Sequence, residues 1–191
     1  MSRHHSLSIL SLVLGLAPTV LALAAPAAAD EPERLHFADD GIIPNSRLPV
    51  LLYRRVPLTG ADRAAALERL FTQHGWPPQW CYGVYDYHHY HPNAHEVLGV
   101  AQGEATLRLG GEQGQDVRVA AEDVLVLPAG TGHRSRASSA DFLVVGAYPP
   151  GQEDFITQRA DPAAHARSLK LIGQVPLPAT DPVTGREGLW R

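Results

Sequence analysis

Short runs in which apolar and polar residues alternate dominate the chain from residue 80 to residue 148. Residues 105–109 and 117–119 alternate in this way, and the glycine-rich segment 110–114 between them predicts a hairpin. Residues 124–127 form a continuous apolar run, which is typical of a strand buried on both faces. Because such strands recur about every 8–12 residues, the pattern predicts a β-sandwich or barrel.

Helices are predicted on either side of this strand-rich region. Residues 61–74 place alanine, leucine and phenylalanine on one stripe, and Trp76-Pro77-Pro78 ends the helix. A second helix is predicted at residues 162–171. The other predicted segments are an extended polar arm at 30–48, strands at 50–53 and 141–148, and an irregular strap at 175–191.

The first 29 residues differ from the rest of the chain. Arg3 and two histidines precede an uncharged run from residue 7 to residue 25, and Ala27-Ala28-Ala29 supplies small residues before Asp30. This layout predicts a secretory signal that is cleaved after Ala29, and therefore a periplasmic or secreted protein. An uncleaved membrane anchor is the alternative, but the prolines and the small-residue ending argue against it.

Composition narrows the class of partner. The chain of 191 residues has a formal net charge of −4, which becomes −5 without residues 1–29 because they hold Arg3 and no acid. Its length predicts one domain, residues 30–191. Basic residues are scattered singly, so we expect no nucleic-acid surface, and no membrane contact after signal cleavage. The single cysteine, Cys81, allows no intrachain disulfide and is expected to be a small buried residue near a strand start.

Histidines cluster near the middle of the chain. Four of them fall within eight positions, namely His88, His89, His91 and His95. Glu96 follows at once, and His133 comes shortly after Pro128-Ala129-Gly130. Three imidazoles and one carboxylate form a ligand set that suits one divalent transition metal.

Strand parity predicts which of these side chains meet. Alternate side chains of a strand share a face, so His89 and His91 should be neighbours about 6–7 Å apart, whereas His88 should face away. Residues 92–94 predict a turn, after which Glu96 should open a strand that lies antiparallel beside the first. His133 must arrive from a third strand, and His95 lies at the turn.

The spacing of these residues resembles the two motifs of the cupin superfamily. The first motif is matched at every position, by Gly83, His89, His91, Glu96 and Gly103. The core of the second is matched by Pro128, Gly130 and His133, but Glu122 and Ala137 stand where that motif has glycine and asparagine. Residues 40–45 and 87–91 also resemble a group of small single-domain bacterial cupins, the YjlB type.

This resemblance implies an all-β fold, the double-stranded β-helix or jelly-roll barrel, with short flanking helices. The cupin core would span about residues 45–150, followed by the C-terminal helix and strap at 151–191. The implied cofactor is one divalent ion of iron, manganese, nickel, cobalt or zinc, with His89, His91, Glu96 and His133 as its ligands. Many cupins form dimers through exposed sheet edges, so the resemblance also implies a possible homodimer.

Two functions stay open on the sequence alone. The resemblance implies a metal-dependent enzyme for a small organic acid, enol or dicarbonyl that chelates the metal through oxygen, of dioxygenase, isomerase or decarboxylase type. The alternative is a non-catalytic protein that anchors a small molecule on its metal. No acid or base besides the ligands stands out as catalytic. Strand parity predicts a small, mostly apolar pocket lined by Tyr85, Tyr87, Leu98, Val126 and Ser135.

Overall fold

Eleven strands form two antiparallel sheets in the computed structural model, which describes residues 31–190. The signal predicted at residues 1–29 lies outside these described residues. The strands are β1 (Glu33–Leu35), β2 (Val50–Tyr53), β3 (Pro78–Tyr82), β4 (His89–Tyr90), β5 (Glu96–Gln102), β6 (Glu104–Leu109), β7 (Gln115–Ala120), β8 (Val124–Leu127), β9 (His133–Ser138), β10 (Leu143–Ala147) and β11 (Gln158–Arg159). One sheet has the order β1-β2-β8-β5-β10-β3 and the other β11-β4-β9-β6-β7. Because the chain passes repeatedly between the two sheets, the predicted double-stranded β-helix is confirmed.

Two of these passages are tight corners with left-handed backbone. Gly103 joins β5 to β6 with φ +68°, and a Cβ there would meet the Phe142 backbone at 2.9 Å. Glu122 has φ +77° between β7 and β8, although a left-handed non-glycine residue costs about 1–2 kcal/mol. The corners support each other, since the Ala121 amide donates to the Gly103 carbonyl at 3.0 Å. The departure from the cupin motif at Glu122 therefore leaves this corner in a conformation that glycine usually adopts.

Both predicted helices are present close to their predicted bounds. Helix α1 spans Arg63–Gln73, and the Asp62 carboxylate caps it by accepting a hydrogen bond from the Ala65 amide. Helix α2 spans Pro162–Ile172, with Asp161 as its cap. Within residues 31–190, no helix has the length and apolar character needed to cross a bilayer.

Two hydrophobic clusters lie on opposite faces of the six-stranded sheet. The inner cluster fills the space between the sheets and includes Leu98, Val100, Leu107, Leu109, Leu125 and Leu127. The outer cluster joins the other face of the sheet to α1, and it includes Leu67, Phe71, Val97, Val124 and Val126. The expectation that Val126 points into the barrel is therefore wrong. Val126 pairs with Val97 across β8 and β5, and cross-strand partners share a face.

Segments outside the barrel cover part of its surface. The C-terminal strap brings Leu189 and Trp190 against the outer cluster. Asp181 of the same strap accepts a hydrogen bond from the hydroxyl of Tyr53, which belongs to that cluster. Cys81 is exposed, so its predicted burial is wrong. It pairs with Val145 of β10, but β3 is the edge strand of its sheet and has a neighbour on one side alone.

Candidate metal centre

Three imidazoles and one carboxylate meet between the two sheets. His89 lies on β4 and His133 begins β9, and the two residues are direct cross-strand partners. His91 follows β4, and its ring centroid is 5.9 Å from that of His89. The ligand nitrogens of the three histidines lie within 4.8 Å of one another. All three side chains and Glu96 are buried, with 2–5% of each residue exposed.

Glu96 reaches this cluster from the opposite sheet. It is the first residue of β5, which pairs with β8 and β10 in the six-stranded sheet, whereas β4 belongs to the five-stranded sheet. The expectation that the Glu96 strand lies beside the His89 strand is therefore wrong. Residues 92–95 carry the chain across the barrel instead of turning it back within one sheet, and the carboxylate consequently faces the histidines.

Backbone carbonyl groups fix the orientation of the three imidazoles. The distances from Nδ1 to carbonyl oxygen are 3.2 Å for His89 to Tyr87, 2.9 Å for His91 to Ile156 and 3.1 Å for His133 to Thr131. A carbonyl oxygen accepts and never donates, so each Nδ1 carries a proton and each Nε2 is directed elsewhere. Histidines that ligate metals are oriented in this way, through the nitrogen that does not bind the metal.

The Glu96 carboxylate faces those Nε2 atoms. Its Oε1 is 3.2 Å from His91 Nε2, and its Oε2 is 3.4 Å from His133 Nε2. Among the described residues, Oε2 has no hydrogen-bond partner. A carboxylate oxygen and an imidazole lone pair repel each other unless a proton or a metal cation lies between them. These donors therefore fit a divalent transition metal, with Glu96 as the candidate fourth ligand beside the three histidines.

The sequence pattern did not indicate Tyr148, which supports the carboxylate. Its hydroxyl donates to Glu96 Oε1 and accepts a hydrogen bond of 3.0 Å from Trp80 Nε1. Burial and the nearby Glu96 charge raise the pKa of Tyr148, so the phenol stays protonated and remains a donor. Gly146, two residues earlier, provides the space, because a Cβ there would collide with the Trp80 indole. The sequence does show that Gly146 and Tyr148, two residues apart in one predicted strand, lie on the same face of it. It does not show whether that face points into the barrel or away from it.

The groups of the centre have opposite pKa shifts. Burial acts to raise the pKa of Glu96, but His91, His133 and the Tyr148 hydroxyl outweigh it and lower the pKa to about 2. Burial, helped by His133, lowers the pKa of His89 to about 3, and burial also lowers the pKa of His133. Burial alone would lower the pKa of His91 too, but the Glu96 carboxylate raises it above 6.5. His91 is therefore the histidine that retains a proton beside the ionised Glu96.

A cavity of about 350 Å³ borders the four side chains. Its other walls are mostly apolar or aromatic and consist of Trp80, Tyr82, Gly83, Val84, Tyr85, Leu98, Tyr148, Phe155 and Thr157. The structure therefore places Tyr85 and Leu98 of the expected pocket in the lining. No lysine or arginine is among these residues, so the cavity lacks the cations that would hold a polyanion.

Three other residues expected in this pocket lie elsewhere. Tyr87 stacks on Tyr85 with 4.8 Å between ring centroids, and it lines a separate surface pocket of about 500 Å³. Val126 packs in the outer cluster. Ser135 donates its amide to the Tyr85 carbonyl at 2.7 Å, so the backbone of the Tyr85 segment runs alongside it, and its side chain is not part of the lining.

The two remaining histidines of the sequence cluster do not line the cavity. His88 faces the separate surface pocket, where its Nε2 is 3.3 Å from Glu112 Oε1. His95 accepts a hydrogen bond of 3.0 Å at Nδ1 from the Ala129 amide, and burial lowers its pKa to about 4. It thereby ties the segment before His133 to the segment before Glu96.

Known proteins resemble this chain in sequence and in fold. The sequence model of the Cupin domain family matches residues 82–146. The Bacillus subtilis (strain 168) uncharacterized protein YjlB is 41% identical over 158 residues, which cover 82% of this chain and 92% of that protein. A double-stranded β-helix protein from Klebsiella pneumoniae is 17% identical, with a TM-score of 0.33 over 68% of this chain and 86% of its own. The plu4264 protein of Photorhabdus luminescens is 16% identical, with a TM-score of 0.33 over 74% and 92% of the two chains.

Replacement of His91 by alanine should lower the bound metal to well below one ion per chain, because it removes one of the converging nitrogens. His88→Ala is the matched control, since it deletes a neighbouring buried imidazole that lines a different pocket. Elemental analysis of both purified variants and the parent protein measures the effect. Full metal retention by His91→Ala would rule out His91 as a ligand.

Metal affinity should fall as the pH falls through the raised pKa of His91. Below that pKa the metal must displace the His91 proton, whereas Glu96, His89 and His133 have lowered pKa values and need release none. We expect about one proton released per metal ion, and an affinity that weakens about tenfold per pH unit in that range. Calorimetric titrations in two buffers of different ionisation enthalpy give the proton count. A count near zero throughout the range would contradict this assignment.

Proposed function

This chain belongs to the cupin superfamily, as a small protein of the YjlB type, and we propose that it is a metal-dependent enzyme for a small oxygen-chelating organic compound. The compound would be an organic acid, an enol or a dicarbonyl, and the reaction would be of dioxygenase, isomerase or decarboxylase type. The observation that carries the proposal is the group of three oriented, buried histidines beside a mostly apolar cavity.

The residues of the centre have distinct roles in this proposal. His89, His91, His133 and Glu96 hold one divalent ion, of iron, manganese, nickel, cobalt or zinc. Such an ion supplies Lewis acidity toward paired ligand oxygens and, if it is iron, affinity for dioxygen. The Tyr148 hydroxyl holds Glu96 Oε1, which also faces His91, and Oε2 is directed at His133. The structure therefore assigns Tyr148 to positioning the carboxylate.

The cavity walls favour a compound that is polar at one end and apolar at the other. Leu98, Val84 and Phe155 are apolar parts of the wall and would exclude water from the part of the ligand that does not bind the metal. In such surroundings, the polar contacts between ligand oxygens and the centre are stronger than in water. Nucleotides and polyanions are disfavoured because no cationic side chain among residues 31–190 lines this cavity.

A non-catalytic binding protein is the second candidate. A specific observation favours it, since the polar side chains of the cavity are the four candidate ligands, the hydroxyls of Tyr82, Tyr85, Tyr148 and Thr157, and the indole of Trp80. These hydroxyl and indole groups are hydrogen-bond donors, whereas the general bases of enzymes are most often imidazoles or carboxylates. If the protein is an enzyme, its reaction must therefore need little proton transfer to or from protein side chains, whereas a binding protein needs none.

Turnover of a chelating compound by the metal-loaded protein tests the proposal. Elemental analysis first identifies the metal, and a panel of small dicarbonyl compounds and hydroxy acids is then assayed for oxygen uptake and for products by NMR. We expect turnover of at least one compound, its loss in His91→Ala and its retention in His88→Ala. Binding without turnover across the panel would favour the binding protein, and no binding at all would favour a structural metal.

We also propose that the protein is exported and that its mature chain begins at Asp30. The uncharged run before Ala27-Ala28-Ala29 supports cleavage at this position. The residues that the structure describes in the two hydrophobic clusters lie between Leu35 and Trp190, and a chain that begins at Asp30 keeps all of them.

Mass spectrometry of protein from a periplasmic extract should find a chain that lacks residues 1–29. Substitution of Ala29 by a bulky residue such as tyrosine should block cleavage, because signal cleavage sites require small residues. Intact chain confined to the cytoplasm, or retained in the membrane fraction without processing, would contradict the proposal.

A further inference from the structure

Aromatic rings border the metal centre beside two of its three histidines. The Tyr85 ring meets His89 edge to face, with 5.1 Å between centroids, and the Phe155 ring meets His91 in the same way at 5.0 Å. Both rings line the cavity. A ligand that places oxygen atoms at these histidines therefore brings its remaining atoms against aromatic surfaces.

Each of these rings is also stacked on a second aromatic ring. Tyr87 lies against Tyr85 with an interplanar angle of 17°, and the Arg159 guanidinium lies 3.8 Å from the Tyr87 ring centroid. Phe155 is stacked on Tyr148 at 4.0 Å and 11°. Tyr85 nevertheless remains 52% exposed and lines the cavity, so part of its ring is open to a ligand. The stacks hold both rings in place before a ligand arrives, which reduces the entropy lost on binding.

We infer that the ligand of this centre is a small planar aromatic compound whose two neighbouring oxygens would chelate the metal held by the histidines and Glu96 while its ring stacks on Tyr85. This inference rests on the proposed function, and it assigns the choice of ligand to Tyr85. A cavity of about 350 Å³ is at the small end of ligand sites and suits a compound of one ring. Aromatic pairs are more stable than their buried area alone explains, so a flat ring is preferred to a saturated ring of similar size.

The test uses two acids that share the same chelating group. Phenylglyoxylic acid and cyclohexylglyoxylic acid have the same 2-oxo acid and the same number of carbon atoms, but the ring is aromatic in the first and saturated in the second. Each is titrated into the metal-loaded protein, and binding is followed by calorimetry. We expect the aromatic acid to bind about three- to tenfold more tightly.

Variants at Tyr85 connect this preference to the ring. Tyr85→Leu should bring the affinity ratio close to one without lowering the metal content, whereas Tyr85→Phe keeps the ring and should keep the preference. Leu169→Ala is the control, since it removes an exposed apolar side chain of α2 that does not line the cavity. Because Tyr85 is half exposed, its replacement should leave the hydrophobic clusters intact.

The possible outcomes separate this inference from the proposed function. Equal affinity for the two acids overturns the aromatic preference and leaves the metal-anchored function standing. An aromatic preference of the same size in the metal-free protein supports the aromatic wall but overturns metal anchoring. If Tyr85→Leu keeps the preference for the aromatic acid but changes the oligomeric mass of the protein, the Tyr85 ring is a contact between chains. That outcome overturns the inference. Failure of both acids to bind the metal-loaded protein overturns the inference, whereas the proposed function is overturned only when the wider panel of chelating compounds also fails to bind.

Discussion

Glu96 is a fully buried carboxylate that extends from one sheet toward three imidazoles on the other. Removal of a carboxylate from water costs on the order of several kcal/mol unless partners compensate. Tyr148 and the His91 proton provide part of that compensation, while Oε2 keeps no hydrogen-bond partner among the described residues. A cation held by the three histidines and Glu96 would satisfy the remaining electrostatic demand and would join the two sheets.

The segments that cross between the sheets bring the ligands to the required positions. Residues 92–95 place Glu96 on the sheet opposite His89 and His91, and residues 128–132 return the chain so that His133 pairs with His89. These two crossings are bonded to each other, because His95 accepts from the Ala129 amide and the Gly130 amide donates to the His91 carbonyl at 2.9 Å. The same loops that connect the strands therefore also fix the orientation of the ligands.

The cavity beside this centre combines one strongly polar end with aromatic and aliphatic walls. That division of polarity supports a ligand held by its oxygens at the histidines and by apolar contact elsewhere. It also limits the available chemistry, because the described residues of the cavity wall include no carboxylate or imidazole besides the four candidate ligands, and the Tyr148 hydroxyl is bonded to Glu96. Enzyme and binding protein share this arrangement, and they differ in what the bound metal does to the ligand.

The sequence by itself determined the fold family and the residues that converge. Motif spacing and alternating strands identified the cupin barrel, and histidines of equal parity indicated one face for His89 and His91. Local signals also placed both helices, since the caps Asp62 and Asp161 and the flanking prolines act within a few residues. Tertiary structure alone decided which face of each strand is inward. The run 124–127 is apolar at every position, so its pattern is the same for either orientation, and the pairing of Val126 with Val97 was needed to turn Val126 outward. Tertiary structure also decided that Glu96 lies on the sheet opposite His89 and that Tyr148 contacts the Glu96 carboxylate. Both depend on strand register and on crossings between sheets, which couple residues far apart in the chain and leave no local trace in the sequence.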